Sequence, residues 1–418
     1  MVGGDHHGVL IVGCGRSGLA AARLHARRRD PRALWVFDAD PKRLAAAEAE
    51  GLTAWNGDAS LLNRAVWSPG VPLDQDLARQ LVEAGVSIVS EVAFAAPDLP
   101  QAVAVTGTNG KSTVCSLLHE LLQAGGVNAV CGGNLGLPVS ELALSGRAME
   151  LLVIELSSYQ LELAHDLDLA AAIITNLAPD HLDRYPDVDA YYTTKARLLA
   201  DVPSGGLAVP PSDESAALAL EMAGPVAAAL TPAPTDEVMD WNRSEALAGP
   251  PGLSNTAQAV AVARHFGIAD EVLMAVVAEF GGLPHRAQAL GTFQGLNFID
   301  DSKATNVAAA VSSLDRISGE VVVLLGGAGK GEDYRALAKA LNRPNASAVC
   351  FGAEGPAIAE VTGGLLVEDL PSAVSVARRM AKPGSTVLLA PACASFDAYR
   401  SYIARGEHFA ALVQGIAS

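Results

Sequence analysis

The sequence predicts an α/β chain of three domains built on parallel sheets, and three observations carry that prediction. Short apolar runs alternate with longer helix-like segments, glycine-rich or polar loops follow several of these runs directly, and 418 residues allow about three domains of about 100 to 200 residues. Half of the residues are hydrophobic, enough to fill several cores. The net charge of −17, from 29 basic against 46 acidic residues, argues against a duplex nucleic-acid partner and against an anionic membrane surface. No basic n-region precedes the first apolar run and no stretch of about 18 apolar residues occurs, so a cytoplasmic protein is expected. Cys14, Cys115, Cys131, Cys350 and Cys393 are odd in number and lack metal spacing, as reduced core thiols would. His6 and His7 sit in a polar N-terminal arm and read as a frayed terminus. Arg27, Arg28 and Arg29 read as the solvated last turn of a helix.

The elements follow in order. Apolar runs at 9–12, 33–37, 65–67 and 86–89, separated by helical segments, form a βα repeat that ends at the break Ala96-Pro97-Asp98-Leu99-Pro100. A second α/β section places strands at 103–106, 127–130, 151–155 and 171–175. The stretch 203–251 is rich in Ala and Pro and carries little pattern. After the turn Gly282-Leu283-Pro284-His285-Arg286, a third series places strands at 297–300, 320–325, 346–351 and 386–389. Domain boundaries therefore fall near residues 97 and 287. In such sheets functional groups collect at the carboxyl ends of the strands, where these loops lie.

The most specific loop is Thr106-Gly107-Thr108-Asn109-Gly110-Lys111-Ser112-Thr113, between a β-branched strand and an apolar helix. Glycines let backbone N–H groups wrap phosphates, Lys111 supplies positive charge, the Ser112 hydroxyl can ligate magnesium, and the helix start favours an anion. It departs from the generic phosphate loop, which has a glycine where this chain has Val105. Gly13-Cys14-Gly15-Arg16-Ser17-Gly18 also joins a strand to a helix, with Asp38 ending the next strand about twenty residues on. Tight helix-on-strand packing would demand the same glycines. Ser68-Pro69-Gly70 adds an anion-facing turn at that edge, and Gly132-Gly133-Asn134-Leu135-Gly136 is either a phosphate-approaching loop or an ordinary turn.

Glu155 ends a very apolar strand, where a carboxylate is costly without a partner, and magnesium prefers oxygen ligands. Asp180 and His181 follow the next strand. Lys195 lies on a helix, and its residues alone read as a surface lysine. In the third section the strand ends carry Lys303 and Thr305, then Lys330, then Ser395, a set suited to a carboxylate. A NAD-dependent dehydrogenase accounts for the first glycine loop only. A non-ligase phosphate-loop ATPase leaves Asp-Ser-Lys-Ala-Thr-Asn at 301–306 without a role.

Taken together, TGTNGKST, GGNLGLP, ELSSYQLE, PDHLDRYP, GLPHR, DDSKATN, GGAGK and PACASFD, in this order, resemble the Mur ligases of peptidoglycan synthesis, and among them the D-glutamate-adding branch. The resemblance implies an N-terminal Rossmann-like UDP-binding domain (1–96), a central P-loop-type ATPase domain (97–286) and a C-terminal Rossmann-like domain (287–418) that binds the amino acid. It implies that ATP phosphorylates the alanyl carboxylate of UDP-N-acetylmuramoyl-L-alanine, and that D-glutamate attacks the acyl phosphate. A Mur ligase of different amino-acid specificity is the nearest alternative. Carried over, Gly107, Thr108, Asn109, Gly110, Lys111, Ser112, Thr113, Asn255, Arg286 and Asp301 meet ATP. Ser112, Glu155, His181 and Lys195 serve two magnesium ions, with Lys195 carbamylated, and Lys111, Glu155, His181 and Lys195 act in the reaction. Gly15, Ser17, Asp38, Ser68, Gly70, Asn134 and His181 contact the UDP substrate, while Lys303, Thr305, Lys330, Ser395 and Phe396 receive D-glutamate. A monomer without a stable protein partner is expected. Where the family shows His-Asn-x-x-Asn before a helix, here beginning near Thr256, this chain has Pro251-Gly252-Leu253-Ser254-Asn255 and keeps the last Asn. The stretch 203–251 is short for the family.

Overall fold

In the computed structural model, residues 8–73 and 75–415 are described, so His6 and His7 lie outside the described residues. The first sheet comprises β1 (Gly8–Val12), β2 (Leu34–Phe37), β3 (Thr53–Ala54), β4 (Leu62–Trp67) and β5 (Ser87–Ser90), in the order β3-β2-β1-β4-β5 with parallel pairings. β1 reads Gly-Val-Leu-Ile-Val and is buried throughout, as a parallel strand covered on both faces must be. The order reverses at β1, which opens a crevice at the carboxyl ends of β1 and β4. Asp40 caps the helix Pro41–Ala49, with proline at its first position, and so fixes the turn leaving β2.

The second sheet holds β6 (Ala102–Thr106), β7 (Ala129–Gly133), β8 (Leu151–Glu155), β9 (Leu169–Ile174), β10 (Leu207–Val209) and β11 (Ala229–Leu230), in the order β11-β10-β9-β6-β8-β7, again parallel. β6, β8 and β9 are buried along their whole length. The third sheet holds β12 (Gln288–Phe293), β13 (Leu296–Asp300), β14 (Val321–Gly326), β15 (Ala346–Phe351), β16 (Leu365–Leu366) and β17 (Thr386–Leu389), in the order β12-β13-β17-β14-β15-β16. Its two faces bury separate cores, one around Phe298, Leu324 and Phe409 and the other around Val323, Leu388 and Ile358.

The expected α/β class holds, with local corrections. β12 pairs antiparallel with β13 through a tight turn at Gln294 and Gly295, both at positive φ, the geometry that matches the twist of a two-residue hairpin. The strand expected at 127–130 runs instead at Ala129–Gly133 and takes in two glycines. The stretch 203–251, which carried little pattern, contains β10, β11 and the helices Ala216–Ala223 and Thr235–Val238. The helix expected near Thr256 begins at Gly249. Pro250 and Pro251 occupy its first turn, where the missing N–H groups have no intrahelical partner anyway.

The chain forms two compact units. The first gathers the chain through Leu177 with Tyr192–Met239 and Ser254–Val276 and carries the first two sheets. The second gathers Ala178–Tyr191, Asp240–Leu253 and everything from Val277, with the third sheet.

Candidate functional site

In the first unit, the crevice of the first sheet is a cleft of about 420 Å3 lined by Gly15, Ser17, Asp38, Ser68 and Gly70, all five expected there, together with Arg43. The glycines divide by role. A Cβ on Gly18 would stand 1.8 Å from the Gly13 carbonyl oxygen, and one on Gly13 would stand 2.7 Å from Ser68 Cβ, so packing demands both. A Cβ built on Gly15 would meet nothing within 4 Å, so packing makes no demand for glycine there and the space beside its α-carbon is open to a ligand. We expect Gly18→Ala to lower unfolding free energy by about 1–3 kcal/mol and Gly15→Ala by less than about 1 kcal/mol, read from urea denaturation. Asp38 accepts from the Cys14 N–H at 2.7 Å and from the Asp40 N–H at 2.8 Å. Its carboxylate thus braces the glycine loop against the turn after β2.

The phosphate-type loop follows β6. Gly107 and Gly110 take positive φ, and a Cβ on either would meet Thr175 Oγ1 at 1.9 Å or Asn255 Oδ1 at 2.5 Å. Asn255 is therefore packed on the loop itself. The Asn176 side chain accepts from the Asn109 N–H at 3.0 Å and donates to the Asn109 carbonyl at 3.0 Å, while Lys111 Nζ donates to the carbonyls of Gly107 at 2.8 Å and Thr108 at 2.7 Å. Thr113 lies in the first turn of the helix Lys111–Ala124, as Ser112 does. Ser112 Oγ donates to Glu155 Oε2 at the end of β8, and Asn134 Nδ2 donates to Glu155 Oε1 at 2.5 Å. Both Ser112 and Glu155 are buried.

Lys195, which read as a surface residue, is 1% exposed and its Nζ donates to the Gly107 carbonyl at 2.9 Å. The signal was too faint to see in sequence because one lysine among the residues of a helix gives no sign of which face it occupies. Among the described residues no group of three or more His, Cys, Asp and Glu side chains gathers to hold a metal. Magnesium with a nucleotide uses one or two protein oxygens plus phosphate oxygens and water. The Ser112 hydroxyl and Glu155 carboxylate are such a donor pair.

In the second unit, β13, β17 and β14 are neighbours, so the loops after them lie side by side. The loops after β14 and β17 are pinned by paired backbone bonds between Ala328 and Ala394, 2.9 Å each. Arg405, unremarked in sequence, ties the same region together. It is 1% exposed and donates to Ser302 Oγ and to the carbonyls of Ser302, Cys393 and Ala394 at 2.9–3.1 Å, and burial pushes its guanidinium down to about 10. Lys330 Nζ pairs with Asp180 Oδ1 at 2.9 Å, and Asn306 Nδ2 donates to Asp180 Oδ2 at 3.0 Å. Burial alone would raise the Asp180 carboxyl, but Lys330, His181 and Asn306 together outweigh it and hold it below its ordinary value. A carboxyl lowered in the folded state stabilises above its unfolded pKa, near 3.8, and that contribution is lost as pH falls through the lowered value. Asp180→Asn is accordingly expected to flatten the acid side of the stability curve below about pH 4, measured by thermal unfolding across pH.

Lys303 Nζ sits 4.5 Å above the Tyr402 ring, and the Thr305 N–H donates to the Lys303 carbonyl at 2.7 Å. Ser395 Oγ is buried without a hydrogen-bond partner, and Phe396 is 75% exposed, an apolar ring left in water. Asp301 is half-buried and accepts from Ser313 Oγ; desolvation raises its carboxyl, opposed by Ser313, the Ala287 N–H and Arg286. His181, His285, Ala287 and Ala392 hold positive φ, so backbone strain falls within the motif loops. The residues assigned to ATP divide between the units: residues 107–113 and Asn255 in the first, Arg286 and Asp301 in the second. Ser112, Glu155 and Lys195 belong to the first, and His181 to the second.

Residues 105–243 match the Mur ligase middle domain, and residues 285–393 match the Mur ligase, glutamate ligase domain. The UDP-N-acetylmuramoylalanine--D-glutamate ligase of Methylococcus capsulatus is 38% identical over 376 residues, 84% of this chain and 81% of that protein. The enzyme of the same name from Nitrosococcus oceani is 34% identical over 98% of this chain and 97% of its own. Among solved structures, MurF from Acinetobacter baumannii (TM-score 0.64, 16% identity, 97% of this chain and 93% of that one) has the same fold. So does the UDP-N-acetylmuramate-alanine ligase MurC from Thermotoga maritima (TM-score 0.59, 16% identity, 98% and 100%). With both domains matched in order and identity above 30% across most of each chain, the protein belongs to the Mur ligase family.

Proposed function

We propose that this chain uses ATP to join D-glutamate to UDP-N-acetylmuramoyl-L-alanine through an acyl phosphate, releasing ADP and phosphate in the cytoplasmic part of peptidoglycan synthesis. The observation that carries the reading is its likeness, nearly end to end, to proteins named D-glutamate ligases. Activation is needed because an amine does not displace the oxygen of a free carboxylate at neutral pH, whereas phosphate is a competent leaving group.

Each set of residues has work suited to its chemistry. Lys111 and the amides of residues 107–113 hold the ATP phosphates, with Asn255, Arg286 and Asp301 toward the nucleotide. Ser112 and Glu155 hold one magnesium ion, His181 and Lys195 a second, and Lys195 does so as its carbamate. Magnesium, when bound, neutralises charge on the phosphate oxygens during transfer. Gly15, Ser17, Asp38, Ser68, Gly70, Asn134 and His181 receive the UDP substrate, and Asp38 also braces the glycine loop. Lys303, Thr305, Lys330, the orphan hydroxyl of Ser395 and Phe396 take up D-glutamate. The corresponding domains are 1–96, 97–286 and 287–418. Among the described residues no helix is long and apolar enough to cross a membrane.

The test is ATP-dependent phosphate release with UDP-N-acetylmuramoyl-L-alanine, magnesium and, in turn, D-glutamate, L-glutamate, L-alanine and a diamino acid. Release with D-glutamate alone is expected. Release with a different amino acid keeps the ligase and overturns the specificity; release with none overturns the reading.

A further inference from the structure

Glu91 opens the helix Glu91–Ala95 and is 2% exposed. Its carboxylate accepts from the backbone N–H groups of Ser140 and Val139, the first turn of the helix Val139–Ser145. That helix has Pro138 at its N-cap and no side-chain cap of its own, so its leading amides depend on Glu91. Burial pushes the Glu91 carboxyl up against the pull of those amides, and among the described residues no cation pairs with it. A serine or asparagine cap would satisfy such amides without burying a charge. A carboxylate placed there at that cost points to a demand for a firmly fixed helix start.

The segment just before that start carries Asn134. It is closed by the Gly133 N–H to the Leu137 carbonyl at 2.9 Å, and joined to β8 by the Asn134 N–H to the Glu155 carbonyl at 2.9 Å. Arg16, from the glycine loop of the UDP-type cleft, donates to the Gly136 carbonyl at 3.2 Å and pairs with Glu141 at 3.2 Å. Asn134 in turn holds Glu155, which receives Ser112. We infer that Glu91 is a positioning residue, which caps the helix Val139–Ser145 and thereby sets the loop that presents Asn134 between the UDP-substrate cleft and the Ser112–Glu155 pair. The inference rests on the ligase reading for its consequence in catalysis and on geometry for its consequence in the loop.

Steady-state kinetics of the full chain with Glu91→Ala, Glu91→Gln and Ser140→Pro test it. Ser140→Pro deletes the same bond from the donor side at a helix position that tolerates proline. Losing a charged hydrogen bond is expected to raise KM for the UDP-linked acid about tenfold in Glu91→Ala and Ser140→Pro, with KM for ATP and for the amino acid within about twofold. Glu91→Gln keeps an acceptor and is expected to stay within about threefold of the unaltered chain. A role in stability alone would lower kcat through the active fraction and leave every KM in place, and that result overturns the inference. Equal damage from Gln and Ala overturns it too. If no amino acid supports phosphate release, amide exchange decides instead: exchange at residues 134–137 and at Val139 should quicken about tenfold in Ser140→Pro and Glu91→Ala but not in Glu91→Gln. Unchanged exchange sinks the proposal.

Discussion

Replacing Lys111 with alanine is expected to lower ATP-dependent ligation about a thousandfold or more. The β- and γ-phosphates lose the mobile cation at the head of the helix Lys111–Ala124, and no other lysine of the loop can take over. The same ammonium group donates to the carbonyls of Gly107 and Thr108 at 2.8 and 2.7 Å, so part of the loss comes from a less ordered loop. Lys111→Arg separates the two effects. Arginine keeps the charge but its planar head cannot sit as a compact donor between two adjacent carbonyls. Phosphate release by the alanine variant at a rate near that of the unaltered chain would remove the loop from the proposed mechanism.

Lys195→Ala is expected to be nearly inactive, and to regain activity on addition of short carboxylates. The physical reason lies in its surroundings. An ammonium group buried to 1% exposure and donating to the Gly107 carbonyl at 2.9 Å is a donor, which repels a metal ion. Once the ammonium has lost a proton, its nitrogen adds carbon dioxide and releases a second proton, giving an anionic carbamate whose oxygen pair is able to serve a hard cation. Deleting the side chain leaves a cavity in which acetate or formate can place the same oxygens. Carbon-13 NMR after equilibration with labelled bicarbonate reads the modification directly, and full activity of the alanine variant without added carboxylate would contradict the assignment.

The sequence reveals the fold class because parallel strands buried on both faces are continuous apolar runs, as β1, β6 and β9 are, and such runs survive without any partner information. It is silent about the shortest and most exposed strands. β3, β10, β11 and β16 are two or three residues long, too short to show a period, and β12 alternates weakly because most of it is exposed. The helix start at Gly249 is hidden because Pro-Pro-Gly reads as a break, although proline suits a first turn. Within the candidate site, the glycine and charged motifs are legible since each couples an unusual residue to a strand end. Arg405 and Glu91 are not, since both are ordinary helix residues by composition and acquire their meaning only from burial against another segment. Asp38 is legible in place, but the two amides that its carboxylate accepts from are not, because they are brought to it by the fold.

The pairing of Asp180 with Lys330 spans 150 positions of chain, and the segment that contains Asp180 belongs to the unit completed by the last sheet. On the ribosome, at about 5 to 20 residues per second, Asp180 is made roughly 8 to 30 seconds before its lysine. Residues 178–191 must remain unstructured or provisionally packed for that interval, because the rest of the unit they belong to is not yet made. Nascent chains paused after residues 178–191 have left the ribosome but before residue 330 is made should therefore be cut by protease within 178–191, and released full-length chains should not.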